Sequence, residues 1–173
     1  MKIEDLDQPE DMKKCFYTFS QELKGMMLLA GKNGTGKTTI ADAIFENCRN
    51  FRVDPKDDLK LNYTQSGLHM KFNEVIQEYH NYNYLFERLS RCRLLIIDDL
   101  ASRKPTDAFG DFLFAIFQYR EKNKHQLATI ITTNCNSIQL RNSLGDAIVS
   151  RLGSGIIYRF EKDDRRYRYI DKF

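Results

Sequence analysis

The chain lacks the patterns that mark several protein classes. None of its four cysteines forms a Cys-x-x-Cys pair or stands at ligand spacing from a histidine, which excludes a zinc finger and a disulfide framework. Cys15, Cys48, Cys92 and Cys135 read as reduced thiols. His69, His80 and His125 have no ligand-like pairing and read as surface or packing residues. No apolar run approaches the roughly 20 residues that span a bilayer. Residues 1–10 are acidic and carry no apolar signal core, so a cytoplasmic protein with no membrane partner is expected. Internal repeats, low-complexity tracts and linkers are absent. Lysine and arginine number 27 against 24 aspartates and glutamates, and a net charge of +3 permits a polyanionic partner without demanding one.

With 173 residues, 42% of them hydrophobic, the chain can bury a core as a single domain. Its organising stretch is Gly31-Lys32-Asn33-Gly34-Thr35-Gly36-Lys37-Thr38, which reads G-x-x-x-x-G-K-[ST]. An apolar run over 26–30 precedes it, and an alternating segment over 40–45 follows. Strand, glycine-rich turn and helix form the context of a phosphate-binding loop. The glycines allow positive φ and close backbone approach, and N–H groups at a helix start face an anion. Lys37 is expected to reach β- and γ-phosphates, and Thr38 to offer its hydroxyl to Mg²⁺. Residues 31–38 together with Thr39 are expected to hold the nucleotide.

The second informative stretch is Leu94-Leu95-Ile96-Ile97-Asp98-Asp99. Four aliphatic residues suit a parallel strand buried on both faces. Ligands of open α/β sheets bind beyond the carboxyl ends of the strands, so the two acids and the phosphate loop should meet. This is a Walker B pattern: Asp98 for the metal, Asp99 for the attacking water. A further β-branched strand over 127–133 ends at Asn134, at the position of a γ-phosphate contact.

Elsewhere, Met12, Phe16, Phe19 and Leu23 predict an amphipathic helix over 10–23 ended by Gly25. Alternation over 59–63 predicts a short second strand. Ser66 reads as the cap of a helix carrying Leu68, Phe72, Val75, Ile76 and Tyr79. Residues 81–84 read as a break and 85–90 as a helical piece. Thr106 reads as the cap of a helix that ends in the charged run 120–124, whose lysines favour the helix's negative end. Two short helices, 137–144 and 146–152, are split by Gly145, with Arg151 near the end of the second. A strand over 155–160 and a return strand over 167–170 close the chain. The tail residues Arg165, Arg166, Arg168 and Lys172 alternate with acids and read as a solvated hairpin.

This order of motifs resembles the AAA+ ATPase core. Leu-Leu-Ile-Ile-Asp-Asp-Leu at 94–100, Thr-Ile-Ile-Thr-Thr-Asn at 129–134 and Ile-Val-Ser-Arg-Leu at 148–152 look like the bacterial and phage helicase loaders of the DnaC/DnaI type. The transposition helper IstB shares that look. The resemblance covers residues 10–170. It implies one AAA+ domain over 1–173, with an N-terminal segment and helix over 1–23 and a P-loop core over 24–173. It implies an α/β fold with a five-stranded parallel sheet in order 5-1-4-3-2 between helices and no C-terminal helical lid. It further implies Mg²⁺-dependent ATP hydrolysis, with Asn134 at the sensor 1 position and Arg151 as an arginine finger acting on a neighbouring subunit.

The partners so implied are a hexameric replicative helicase, single-stranded DNA and further copies of the chain. Lys71 and the neighbourhood of residues 79–84 are the candidates for DNA contact. Two departures stand out: only ten to twenty residues precede the core, and Asp99 replaces the usual glutamate, which predicts slow turnover. Two other readings share the motifs, an IstB-like helper that binds duplex DNA and a small-molecule P-loop kinase.

Overall fold

The structure, a computed structural model, describes residues 1–48, 67–161 and 164–169. The sequence alternates strands and helices, and the structure arranges them as three layers. The strands are β1 (Gly25–Gly31), β2 (Gly67–Lys71), β3 (Leu94–Asp98), β4 (Ala128–Thr133), β5 (Ile156–Glu161) and β6 (Asp164–Tyr169). They form one sheet in the order β2-β3-β4-β1-β5-β6. The first five are parallel, as expected, and β6 returns antiparallel to β5. β1, β3 and β4 sit centrally, which is why their sequences are nearly unbroken aliphatic runs.

Side chains alternate across each strand, so each strand feeds two cores. Met27, Leu29, Leu94, Ile96 and Ile130 face α1 (Glu10–Glu22) and α2 (Lys37–Asn47), where they meet Phe16, Ile40 and Ile44. Ile3 and Leu6 join that core, so the N-terminal segment packs as part of the domain. Leu28, Leu95, Ile97 and Ile131 face the opposite layer. This layer holds α3 (Phe72–Glu78), α4 (Tyr82–Arg91), α5 (Asp107–Lys122), α6 (Ser137–Leu144) and α7 (Asp146–Leu152).

The strand read at 59–63 lies outside the described residues. Several other expectations are corrected. The observed edge strand is Gly67–Lys71, so Leu68 belongs to a strand rather than to the helix that starts at Phe72. The residues read as a break at 82–84 begin α4. Leu23, at φ 48°, is the left-handed residue that ends α1, and Gly25 already opens β1. Helix α5 runs as expected from Thr106, whose hydroxyl accepts the Phe109 N–H at 3.4 Å.

Its charged end is not fully solvated, because Arg120 is only 1% exposed. That guanidinium donates from Nε to Thr129 Oγ1 at 2.7 Å and from Nη1 to the carbonyls of Leu89 and Cys92, both at 2.9 Å. It therefore ties the C-terminal end of α4 to β4 and α5. The charge lies at the negative end of a helix dipole, and hydrogen bonds to carbonyls offset its desolvation. Burial lowers its pKa from the ordinary arginine value, opposed by the neighbouring Cys92 thiol. All four cysteines are free thiols, Cys48 and Cys92 buried and the other two half-buried. Burial pushes the Cys48 thiol up to about 12.

Gly155, just before β5, packs so tightly that a Cβ there would stand 2.1 Å from the Met26 carbonyl oxygen. Gly155→Ala must push β5 away from β1. It is expected to cost about 1–3 kcal/mol, the usual penalty of overpacking, read as a lower melting temperature.

Candidate nucleotide-binding site

Parallel strands end on the same edge of the sheet, and β3, β4 and β1 are consecutive neighbours there. The groups at their carboxyl ends therefore converge. The loop after β1 carries Gly34 and Gly36 at φ 79° and 85°, the left-handed region that glycine enters freely. Gly31 has a different reason for lacking a side chain, since a Cβ would lie 2.4 Å from the Phe160 carbonyl oxygen of β5. Lys32, Asn33 and Gly34 are exposed at the tip, and Thr35, Gly36 and Thr39 are half-buried. The Thr35 hydroxyl donates to the Lys32 carbonyl at 2.9 Å and closes the loop.

Lys37 opens α2 and is 5% exposed. Its ammonium donates to the carbonyl oxygens of Gly31 at 2.8 Å and Lys32 at 2.9 Å, and to Asn134 Oδ1 at 2.8 Å. Burial lowers its pKa from the ordinary lysine value, and the charges of Asp99 and Asp98 oppose that shift. The Asn134 amide spans the site, since its Nδ2 donates to Asp99 Oδ1 at 2.9 Å. Lys37, Asn134 and Asp99 thus form one chain of hydrogen bonds from the phosphate loop to the acid beyond β3.

The Thr38 hydroxyl donates to the Asp98 carboxylate, at 2.9 Å to Oδ1 and 3.1 Å to Oδ2. Asp98 is 2% exposed. One hydroxyl and one carboxylate facing each other suit a small hard cation that takes oxygen ligands and keeps phosphate and water in its shell. Among the described residues no three His, Cys, Asp or Glu side chains gather into a metal cage. The facing hydroxyl and carboxylate would suit Mg²⁺ arriving with a nucleotide, with Thr38 and Asp98 as the residues that would hold it.

The structure brings together every predicted site residue except Arg151. Helix α7 ends where β5 begins, at the amino edge of the parallel sheet, whereas the phosphate loop lies at the carboxyl edge. Arg151 stays on its own layer. Its guanidinium lies 4.2 Å from the Phe114 ring centroid, Nη1 donates to the Ala147 carbonyl at 2.7 Å, and Nε lies 3.5 Å from Glu121 Oε2. Nε is buried and makes no hydrogen bond.

Sequence reasoning passed over Thr132. Its hydroxyl touches both Walker B residues, donating to Asp98 Oδ1 at 2.5 Å and accepting the Asp99 N–H at 2.9 Å. A hydroxyl set in an aliphatic strand two residues before the polar tip was the available signal.

The family model for the ATPase family associated with various cellular activities (AAA) matches residues 27–156. No curated protein matches the chain. Among solved structures, the DnaC helicase loader is similar over 87% of this chain and 90% of its own, with TM-score 0.65 and 20% identity. DnaI is similar over 92% and 89%, with TM-score 0.67 and 21% identity. The replication initiator DnaA bound to AMPPCP and single-stranded DNA gives TM-score 0.71 and 16% identity over 91% of this chain. The match spans only 49% of that DnaA chain. At these identities the likeness is one of fold.

If Lys37 carries the phosphate contact, Lys37→Ala should weaken binding of a fluorescent nucleoside triphosphate about 10- to 100-fold. That range corresponds to one or two charge-assisted hydrogen bonds. An unchanged dissociation constant would remove Lys37 from the site.

Proposed function

This chain belongs to the ATPase family associated with various cellular activities, and we propose that it hydrolyses ATP with Mg²⁺ to load a ring-shaped replicative helicase onto DNA. The observation that carries the reading is that Arg151 stands apart from the other ATPase parts of the same domain. Lys37, Thr38, Asp98, Asp99 and Asn134 gather at the carboxyl edge. Arg151, on α7, makes none of those contacts and rests instead on Phe114 and beside Glu121. An arginine there can act on a neighbour's nucleotide, so hydrolysis would require edge-to-edge assembly of copies.

In this reading the bound Mg²⁺ offsets charge on the β- and γ-phosphates. The chain's own groups do the rest. Loop N–H groups bind the phosphates, and Lys37 exchanges the Gly31 and Lys32 carbonyls for phosphate oxygens. Thr38 and Asp98 hold the cation. Asp99 orients the attacking water, with Asn134 fixing its carboxylate and contacting the γ-phosphate. The Asp99 side chain reaches less far than glutamate, which favours slow turnover. A neighbour's Arg151, released from Phe114 and Glu121, stabilises charge in the transition state.

The fold likeness to DnaC, DnaI and DnaA supports a role in replication. The partners would be the replicative helicase, further copies of this chain and single-stranded DNA. For DNA, the supporting surface lies on α3 and α4. Tyr82 is 44% and Tyr84 36% exposed, the Arg88 guanidinium stands 5.2 Å from the Tyr84 ring centroid, and Lys71, at the end of β2, is exposed. Aromatic faces with neighbouring cations suit unpaired bases and their phosphates. Tyr79 and Tyr82 are less available than Tyr84, since Tyr79 packs edge-on against Phe109 and Phe112, and Tyr82 stacks on Phe86 and meets Phe112 edge-on. Among the described residues no helix is long and apolar enough to cross a membrane.

Specific ATPase activity is expected to rise with protein concentration, to increase with single-stranded DNA, and to fall at least 100-fold in Arg151→Ala. DNA affinity should weaken with salt and with Tyr84→Ala. Activity that is independent of concentration and untouched by Arg151→Ala would place the whole site within one subunit and reject the loader reading.

A further inference from the structure

We propose that Thr132 is the positioning residue of the metal and nucleotide site. Its hydroxyl fixes both Walker B acids so that Asp98 meets the cation and Asp99 meets the water. This inference rests on the ATPase reading above and names a residue which that reading does not use.

Thr132 is fully buried on β4, between β3 and β1. Its hydroxyl has one proton and two lone pairs, and the structure gives them definite uses. The proton goes to Asp98 Oδ1 at 2.5 Å, and a lone pair receives the Asp99 N–H at 2.9 Å. Asp98 Oδ1 thus accepts from both Thr132 and Thr38, whereas Oδ2 accepts from Thr38 alone, at 3.1 Å. When Thr38 turns to a cation, the Thr132 bond remains. It would keep Asp98 Oδ1 held and leave Oδ2 available to a cation. This is the outer-shell arrangement that orients metal-binding carboxylates.

The second half of the contact acts on Asp99. Beyond β3 the chain turns through two non-glycine residues with positive φ, Asp99 at 57° and Ala101 at 62°. Such a turn needs support from its surroundings. The β4 strand provides it three times: the Thr132 hydroxyl accepts the Asp99 N–H, the Thr132 carbonyl accepts the Leu100 N–H at 2.9 Å, and the Thr133 hydroxyl donates to the Leu100 carbonyl at 2.8 Å. The turn aims the Asp99 carboxylate at Asn134, the residue just beyond the end of β4. Thr132 therefore couples the position of the metal ligand to that of the water-orienting acid.

Thr132→Val replaces the hydroxyl with a methyl group of nearly equal size and removes both bonds. The test is calorimetric titration of AMPPCP in EDTA and in Mg²⁺, with melting curves of each variant. In the wild type, Mg²⁺ should tighten binding. In Thr132→Val, affinity in EDTA should stay within about twofold, while the Mg²⁺-dependent tightening falls about 10- to 100-fold, the usual consequence of losing an outer-shell contact. Thr132→Ser should restore it. If Thr132→Val does not melt cooperatively, Thr132→Ala against Thr132→Ser makes the same comparison. Full Mg²⁺-dependent tightening in the variant would overturn the inference alone. So would equal losses in EDTA and Mg²⁺, which would mean that the hydroxyl serves only the fold. A wild type that binds AMPPCP without any Mg²⁺ effect would overturn both this inference and the ATPase reading.

Discussion

The Lys37 ammonium is the interaction on which the rest of the site depends. It is a buried cation at the start of α2, and burial disfavours its charged form. The carbonyls of Gly31 and Lys32 and the side chain of Asn134 compensate. The loop must therefore fold back over the lysine, which needs left-handed backbone at Gly34 and Gly36. The tip of β4 must also lie beside the end of β1, which the strand order guarantees. A phosphate group would offer this cation the same kind of oxygen contact with a full negative charge. The fold thus holds the lysine ready and gives it acceptors that a nucleotide can replace.

The same adjacency decides how the acids stand. Because β3 neighbours β4, the β4 tip can reach both the lysine on one side and the acids on the other. Asn134 uses its two amide atoms for this, accepting from Lys37 and donating to Asp99. One strand end thereby links the phosphate loop to the group expected to handle water. A loss at Asn134 would be felt on both sides.

Most of this was legible in the sequence, and the physical reasons differ by element. The phosphate loop was legible because its geometry demands particular residues at fixed spacing. The central strands were legible because burial on both faces leaves an unbroken aliphatic run. The edge strand β2 was not. Leu68 and Phe72 are four apart, and that helical spacing falls by coincidence across a strand–helix boundary. The burial of Arg120 was not legible, because a charged residue in a charged run carries no local sign that tertiary carbonyls will receive it. The bonds of Thr132 and the tight approach at Gly31 are properties of neighbouring strands, which no single stretch encodes.

The proposed role of Arg151 is what distinguishes a complete site from a shared one. Its guanidinium rests on Phe114 beside Glu121, apart from the other site residues, and its Nε makes no hydrogen bond. The central claim is that two copies make one active site. Mixing Lys37→Ala with Arg151→Ala tests it most directly, by measuring ATP hydrolysis of each variant alone and of the mixture. Both variants should be inactive alone, and the mixture should recover a substantial fraction of wild-type activity. Recovery would come from interfaces that join an intact Lys37 to an intact Arg151. A mixture no more active than its components, from variants that still fold and associate, would contradict the shared site.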